Sequence, residues 1–384
     1  MITSIFLIFA GAAVLATLAL LTRQSMLVAY MLLGILIGPW GLVLISDTQA
    51  VRSIGEIGII FLLFLLGLHL PPQKLVGMMK KISLIGFVSS FVFAFIGFFV
   101  ARLFGYDAVS SVVIGAAMMF SSTIIGIKLL PTTVLHHQHT GEMMISVLLF
   151  QDILAILVLL VMRALSFHGD ILRDVAIVSF GFPLTLVFAF LFQRFCLMWL
   201  FKRFSRIKEY MFLVSIAWCL SMVEVASLLK LSDEIGAFIA GVSLAASPIS
   251  VYIAESLKPV RDFFLVMFFF SVGAMFNGNY LSVVILPALI IAILLFVIKP
   301  VVYRYLLFKV GETNQVSWEV GARLGQVSEF SIIISVVASD SGLITPSACF
   351  LIQAVTIVSF VLSSYWVVMK YPTPVSLSDK LRRD

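Results

Sequence analysis

The chain has 384 residues, 62% of them hydrophobic and 11% charged, with a mean hydropathy of +1.17. About a quarter of the residues of a soluble domain are charged, so composition excludes a water-soluble fold and makes lipid the solvent. The net charge of +6 then belongs to basic loops on one side of a bilayer, and no nucleic-acid partner is expected.

The apolar runs are about 20 residues long and do not alternate, which points to helices and not to a closed barrel. In chain order they fall at 3–22, 25–41, 52–70, 82–103, 108–131, 142–165, 171–201, 209–230, 234–246, 262–276, 280–308, 317–340 and 346–370. This is an all-α polytopic membrane protein with about 13 spanning helices. The first run reads as a retained helix and not a signal peptide, because it lacks a basic n-region and Arg23 follows it. Turn chemistry agrees: Pro71-Pro72 follows the third run, Pro131 closes the fifth, and Thr345-Pro346 opens the last. Ends of odd-numbered helices and the tail carry 17 Lys and Arg; even-numbered ends carry 5, namely Arg52, Arg102, Arg163, Arg173 and Lys230. The positive-inside rule puts the N-terminus outside and the C-terminus inside. Cys196, Cys219 and Cys349 sit in apolar stretches without pairing or metal spacing.

The sequence also parallels itself. The run Phe61–Gly67 matches Met267–Gly273, and Gly115 with Ser122 matches Gly321 with Ser328; both glycine pairs lie 206 residues apart. That offset spans seven helices, an odd number, so the two copies have opposite topology. Inverted repeats are the architecture of secondary transporters, with the site at the repeat interface.

Few ionisable groups lie inside the apolar runs. Asp152, near the middle of the sixth, costs several kcal/mol unless paired or hydrated. It is either half of a structural ion pair or a cation ligand that takes a proton when the cation leaves; Gln151 beside it can offer a carbonyl oxygen. Lys299, inside the eleventh run, either snorkels to the interface or is the salt-bridge partner of Asp152. Two polar clusters, Ser121-Ser122-Thr123 and Gly325–Ser331 with Ser328 and Glu329, fall mid-membrane at matching places. Their positions suggest interrupted helices whose half-helix ends face an ion site. Glu329 is open to three readings: a functional carboxylate, neutralisation of a half-helix N-terminus, or pairing with Arg323.

Glu56, near the outer end of the third run, is open to structural and gating roles. Glu224 has Lys230 as a candidate partner, and Asp233-Glu234 read as an N-terminal cap. His136, His137 and His139 read as a solvated loop, with pH sensing as the alternative. There is no P-loop, zinc motif, nucleophile elbow or potassium-filter sequence, so an enzyme is the least supported class.

Leu33–Pro39, Glu56–Gly58 with Leu66–Leu68, Phe150–Asp152, Gly236–Gly241, Phe269–Gly273 and Gly325–Phe330, taken in order, resemble the membrane domain of Kef-type potassium/proton antiporters, of the cation/proton antiporter-2 group. The resemblance implies a sodium/proton-antiporter-like fold with two crossed discontinuous helices. It implies a homodimer in the bacterial inner membrane, with a dimerisation panel at 1–73 and 206–276 and an ion-transporting core at 82–168 and 280–371. A connecting helix at 171–204 and a short basic cytoplasmic tail at 372–384 complete it. The core moves elevator-fashion. Asp152 matches the ion-binding carboxylate, Lys299 its basic partner, and the serine clusters the unwound segments. Gln151 stands where related electrogenic antiporters carry a second aspartate, which suggests electroneutral exchange.

Two departures limit the likeness. Kef proteins continue into a nucleotide-binding regulatory domain, whereas this chain stops at Asp384 after a short basic tail: either the sequence is a piece of a longer protein or it is a relative without that domain, and a cytoplasmic regulatory domain or subunit outside this chain is a candidate partner. The acidic regulatory loop reads Tyr252–Asp262 here with added positive charge, leaving glutathione gating unsupported. The reading is therefore a monovalent cation/proton antiporter, potassium first and sodium second. Its cargo is K+ (or Na+) and H+, held at Asp152, Gln151, Ser121, Ser122, Thr123, Ser328 and Glu329 with no cofactor. A channel or leak pathway and a symporter or organic-anion carrier are the rivals from other classes.

Overall fold

The structure, a computed structural model, describes residues 2–373 apart from 23, 46–47, 69–71, 130–138, 166–170, 205–206, 230, 232, 246 and 248. Every regular element among the described residues is a helix, as backbone hydrogen bonding in lipid requires. They are α1 Ile2–Leu21, α2 Met26–Ile37, α3 Thr48–Leu68, α4 Pro72–Leu103, α5 Ala108–Met118, α6 Thr123–Lys128, α7 His139–Leu165 and α8 Ile171–Phe192. After a π turn at Gln193–Leu197 follow α9 Met198–Phe204, α10 Lys208–Leu228, α11 Asp233–Ala245 and α12 Ser250–Met275. The chain ends in α13 Leu281–Lys309, α14 Asn314–Arg323, α15 Glu329–Asp340 and α16 Pro346–Lys370. Seven spans among the described residues are long and apolar enough to cross a bilayer, and large side chains such as Phe91, Phe180 and Phe195 remain exposed on their surfaces.

The repeat is legible in the backbone. Ile2 and Lys208, Ala108 and Asn314, and Thr123 and Glu329 each open helices 206 residues apart. The turn after α4 uses Gly105 at φ 84° and the turn after α13 uses Gly311 at φ 99°, a left-handed conformation that glycine adopts without a Cβ penalty. Asp107 then caps α5 through Ser110 N at 3.0 Å, and Thr313 caps α14 through Val316 N at 3.3 Å. Gly105 and Gly311, and Asp107 and Thr313, share the 206-residue offset.

The chain forms two compact units. The first comprises Met1–Ser46, Met78–Val158 and Gly273–Asp384; the second comprises Asp47–Gly77 and Leu159–Val272. In the second unit α3 packs on α11 with glycines at the contact: a Cβ on Gly67 would meet Phe238 O at 2.5 Å. In the first, α4 meets α5 at Gly115, where a Cβ would lie 2.6 Å from Ala94 O. The second copy repeats this at Gly321, 2.6 Å from Pro300 O.

As the polar clusters suggested, the runs 108–131 and 317–340 are each broken, into α5 and α6 and into α14 and α15. Other boundaries differ from expectation. Helix α4 starts at Pro72, ten residues before the apolar run, because proline suits a first helical turn and nothing after it breaks the helix. The stretch Tyr252–Asp262, expected as a loop, belongs to α12, with Pro259 inside the helix. Ile253 and Leu257, one turn apart, are buried on one face and hold that segment helical through the proline. Asp233 and Glu234 occupy the first turn of α11, where they complement the helix dipole, and not the cap itself. Pro71, Pro131, His136, His137, Lys230 and residues 374–384 of the basic tail lie outside the described residues; His139 opens α7.

Gly321→Ala is expected to destabilise the protein by about 1–3 kcal/mol through overpacking against Pro300. Gly278→Ala, with nothing within 4 Å of the added Cβ, changes it by less than about 0.5 kcal/mol. Thermal unfolding of the two variants in detergent checks this.

Candidate functional site

Two helix interruptions face each other inside the first unit. Residues 119–122 separate α5 from α6, and residues 324–328 separate α14 from α15. Each break leaves amides and carbonyls without intrahelical partners, and several are satisfied by the other break or by a neighbouring helix. Ser121 Oγ donates to Leu324 O at 2.9 Å, and Gln326 Nε2 donates to Ser122 O at 3.3 Å. Ser331 Oγ donates to Ala117 O. The Ser121 amide donates to Gln151 Oε1 at 3.0 Å, and the Val327 amide, 206 residues on, donates to Ser359 Oγ at 3.0 Å. Ser122 and Ser328 do the same work in each copy: Ser122 Oγ accepts from Ile125 N and Ser328 Oγ from Phe330 N, both at 3.1 Å. They cap the second half-helices.

Lys299 is fully buried in α13 between the two breaks. Its ammonium donates to Phe120 O at 2.6 Å and Gln326 O at 3.0 Å, and lies 3.4 Å from Ser121 Oγ. It also sits 5.0 Å above the Phe93 ring. Phe120 and Gln326 again differ by 206 positions, so one lysine binds equivalent carbonyls of both copies. The expected salt bridge from Lys299 to Asp152 is not formed. The three ammonium donors go to carbonyl and hydroxyl oxygens at the ends of α5 and α14, where both helix dipoles present negative ends.

Asp152, in α7, is 1% exposed. Its carboxylate accepts from Thr123 Oγ1, at 3.3 Å to Oδ1 and 3.4 Å to Oδ2. Neither Lys nor Arg among the described residues pairs with it, and Glu329 is near enough to repel its charge. Thr123 and Glu329 each open a second half-helix, α6 and α15, so two half-helix N-termini frame the carboxylates. Glu329 is placed to complement the α15 dipole. Arg323 does not pair with it: Arg323 binds Glu319 at 2.8 Å, Leu129 O at 2.8 Å and Pro372 O at 2.9 Å.

Gln151 does not offer a free carbonyl oxygen. Its Oε1 takes the Ser121 amide, and its Nε2 donates to Met119 O at 3.2 Å and to Tyr303 Oη at 2.6 Å. Glu56 stands in the other unit, exposed on α3, and Glu224 is exposed on α10. Sequence reasoning missed Tyr303, Gln326, Ser359 and Ser363, whose hydroxyl donates to Gln326 Oε1 at 2.8 Å. The signal for Tyr303 was its place four residues after Lys299, on the same helix face. Ser359 and Ser363 share one face of α16 in the same way.

Two helix breaks in an inverted repeat, with a buried carboxylate beside them, have the architecture seen in secondary transporters. The transmembrane sodium/hydrogen exchanger family model matches residues 6–369, and the chain belongs to that family. It is 28% identical to K(+) efflux antiporter 6 of Arabidopsis thaliana over 88% of this chain and 58% of that protein. It is also 28% identical to the putative cation/proton antiporter YbaL of Escherichia coli K12, over 91% of this chain and 65% of that one. The chain thus spans less than two thirds of these relatives. The sodium proton antiporter MjNhaP1 of Methanocaldococcus jannaschii superposes with a TM-score of 0.70 over 95% of both chains. At 16% identity that likeness concerns the fold.

Lys299→Met strips the Phe120 and Gln326 carbonyls of their shared donor and is expected to destabilise the protein by about 3 kcal/mol or more. Lys299→Gln, with two N–H donors, loses less. Thermal unfolding at fixed detergent and salt compares them.

Proposed function

We propose that this chain is the membrane part of a monovalent cation/proton antiporter, with potassium as first substrate and sodium as second. The observation that carries the reading is Asp152: a buried carboxylate that accepts from the Thr123 hydroxyl, with no Lys or Arg among the described residues paired to it. A charge so placed is costly unless a proton or a cation neutralises it, and one group serving both in turn couples their fluxes. The relatives named for K(+) efflux and cation/proton antiport support the choice of cargo. Because Lys299 is engaged by backbone carbonyls, each exchange replaces one positive charge by another at Asp152, which supports electroneutral 1:1 antiport. A channel would need no protonatable ligand, and nothing at the site favours it.

The wider setting is part of the same proposal. The core at 82–168 and 280–371 moves elevator-fashion against a panel at 1–73 and 206–276, joined by the helix at 171–204. Helices α1 and α2 nonetheless fall in the same compact unit as the helix breaks. The protein works as a homodimer in the bacterial inner membrane, N-terminus out and C-terminus in, with Glu56 as a gating candidate. A cytoplasmic regulatory domain or subunit is a further candidate partner.

In proteoliposomes with the membrane potential clamped by an ionophore suited to each cation, adding K+ or Na+ is expected to dissipate a preset pH gradient. Asp152→Asn abolishes this, and Thr123→Val raises the apparent KM for the cation several-fold. Since proton and cation compete for one carboxylate, the apparent KM for the cation rises as pH falls while the maximal rate changes little. A gradient untouched by both cations, or an Asp152→Asn variant as active as wild type, overturns the reading.

A further inference from the structure

Tyr303 is fully buried in α13, one turn beyond Lys299. Its ring packs edge-on against Phe93 at 5.4 Å between centroids. Its hydroxyl accepts from Gln151 Nε2 at 2.6 Å and lies 3.4 Å from Ser121 Oγ. Ser121 Oγ spends its own proton on Leu324 O at 2.9 Å, so where the two hydroxyls bond it is the phenol that donates; Ser89 of α4 is a second partner of that phenol. The result is a directed chain: Gln151 amide to Tyr303 hydroxyl, Tyr303 to Ser121, and Ser121 to the second helix break. It starts at the residue beside Asp152 and ties α7 to both breaks.

That chain fixes the orientation of the Gln151 amide. With Nε2 held by Tyr303 and Met119 O, Oε1 is turned to the Ser121 amide. The hold on Ser121 sets where the first break ends, and Thr123, two residues later, supplies the hydroxyl that meets Asp152. The repeat gives an independent sign that this is a built feature. At the 206-residue offset, Tyr303 corresponds to Gly97 and Lys299 to Phe93. The lysine and the tyrosine therefore occur only in the second copy, opposite Phe93 and Gly97 of the first, while Asp152 lies in the first copy opposite Val358.

We infer that Tyr303 is a positioning residue for the ion site, acting through Gln151 and Ser121 to set the spacing between Thr123 and Asp152 and hence cation affinity. The inference rests on Asp152 being a monovalent-cation site, as proposed above. Tyr303 touches neither ion, so its loss is expected to weaken binding and spare turnover.

The test uses the full chain in detergent and in proteoliposomes, comparing wild type, Tyr303→Phe, Gln151→Met and the double variant. Cation-dependent thermal stabilisation gives an apparent Kd for K+ and Na+ without requiring transport, and proton-coupled flux gives KM and maximal rate. Removing the acceptor of a buried donor is expected to raise the apparent Kd and KM in Tyr303→Phe about tenfold. The maximal rate stays within about twofold. Gln151→Met weakens binding comparably, and the double variant is no weaker than the worse single one, because both act through one chain. Wild-type affinity in Tyr303→Phe, additive losses in the double variant, or a fall in maximal rate alone overturns the inference. If Tyr303→Phe fails to assemble, Gln151→Met decides: retained affinity overturns the inference. A wild type stabilised by cations but inert in flux overturns antiport and leaves Tyr303 to be judged on Kd. A wild type stabilised by neither cation overturns both.

Discussion

Breaking a helix in the middle of a bilayer releases amides and carbonyls where no water can bond them, each at a cost of about 1–3 kcal/mol when buried and unmet. Everything at this site follows from how that cost is offset. Neither interruption is self-sufficient. The first break sends Ser121 Oγ to Leu324 O of the second, and the second returns Gln326 Nε2 to Ser122 O of the first. Lys299 then closes both at once through Phe120 O and Gln326 O. The two breaks are stable as a pair, which explains why they occur as a pair and why they cross.

The pairing rests on the repeat, yet the chemistry rests on departures from it. Scaffold features recur 206 positions apart: Gly105 and Gly311, Asp107 and Thr313, Ser122 and Ser328. The reactive positions do not. Gln151 and Asp152 fall opposite Ile357 and Val358, and Lys299 and Tyr303 fall opposite Phe93 and Gly97. A symmetric scaffold therefore carries one carboxylate site on α7 and leaves the equivalent place on α16 apolar. Two such carboxylates would double the charge to be neutralised at the crossing.

Which features could be read beforehand follows from which forces act locally. Hydropathy and proline positions are local, so the all-helical class and the order of the apolar segments came through. The paired glycines and serines at a constant offset pointed to inverted repeats and to the breaks, and Asp152 stood out because charge in lipid is rare. The partners of Lys299 and Gln151 were not legible. A buried ammonium chooses between a carboxylate and backbone carbonyls by distance alone, and residue type carries no trace of that choice. Tyr303 was hidden because a tyrosine near a helix end ordinarily marks the interfacial belt. The helix through Tyr252–Asp262 was missed because Lys258-Pro259 reads as a stop, while the burial of Ile253 and Leu257, a tertiary effect, outweighs it.

The engagement of Lys299 also bears on how charge is balanced during exchange. A lysine that swung between Asp152 and the breaks would have to abandon two buried carbonyls in every cycle, each unmet at a cost comparable to the gain of the ion pair. With its donors committed to the scaffold, the lysine is better suited to a constant role, offsetting the negative ends of α5 and α14. Under the antiport proposed above, the variable charge then falls on Asp152, with the Glu329 carboxylate near it. Under that arrangement the coupling between the two fluxes is a property of one carboxylate, and the surrounding network of Lys299, Gln151 and Tyr303 keeps that carboxylate in a fixed frame.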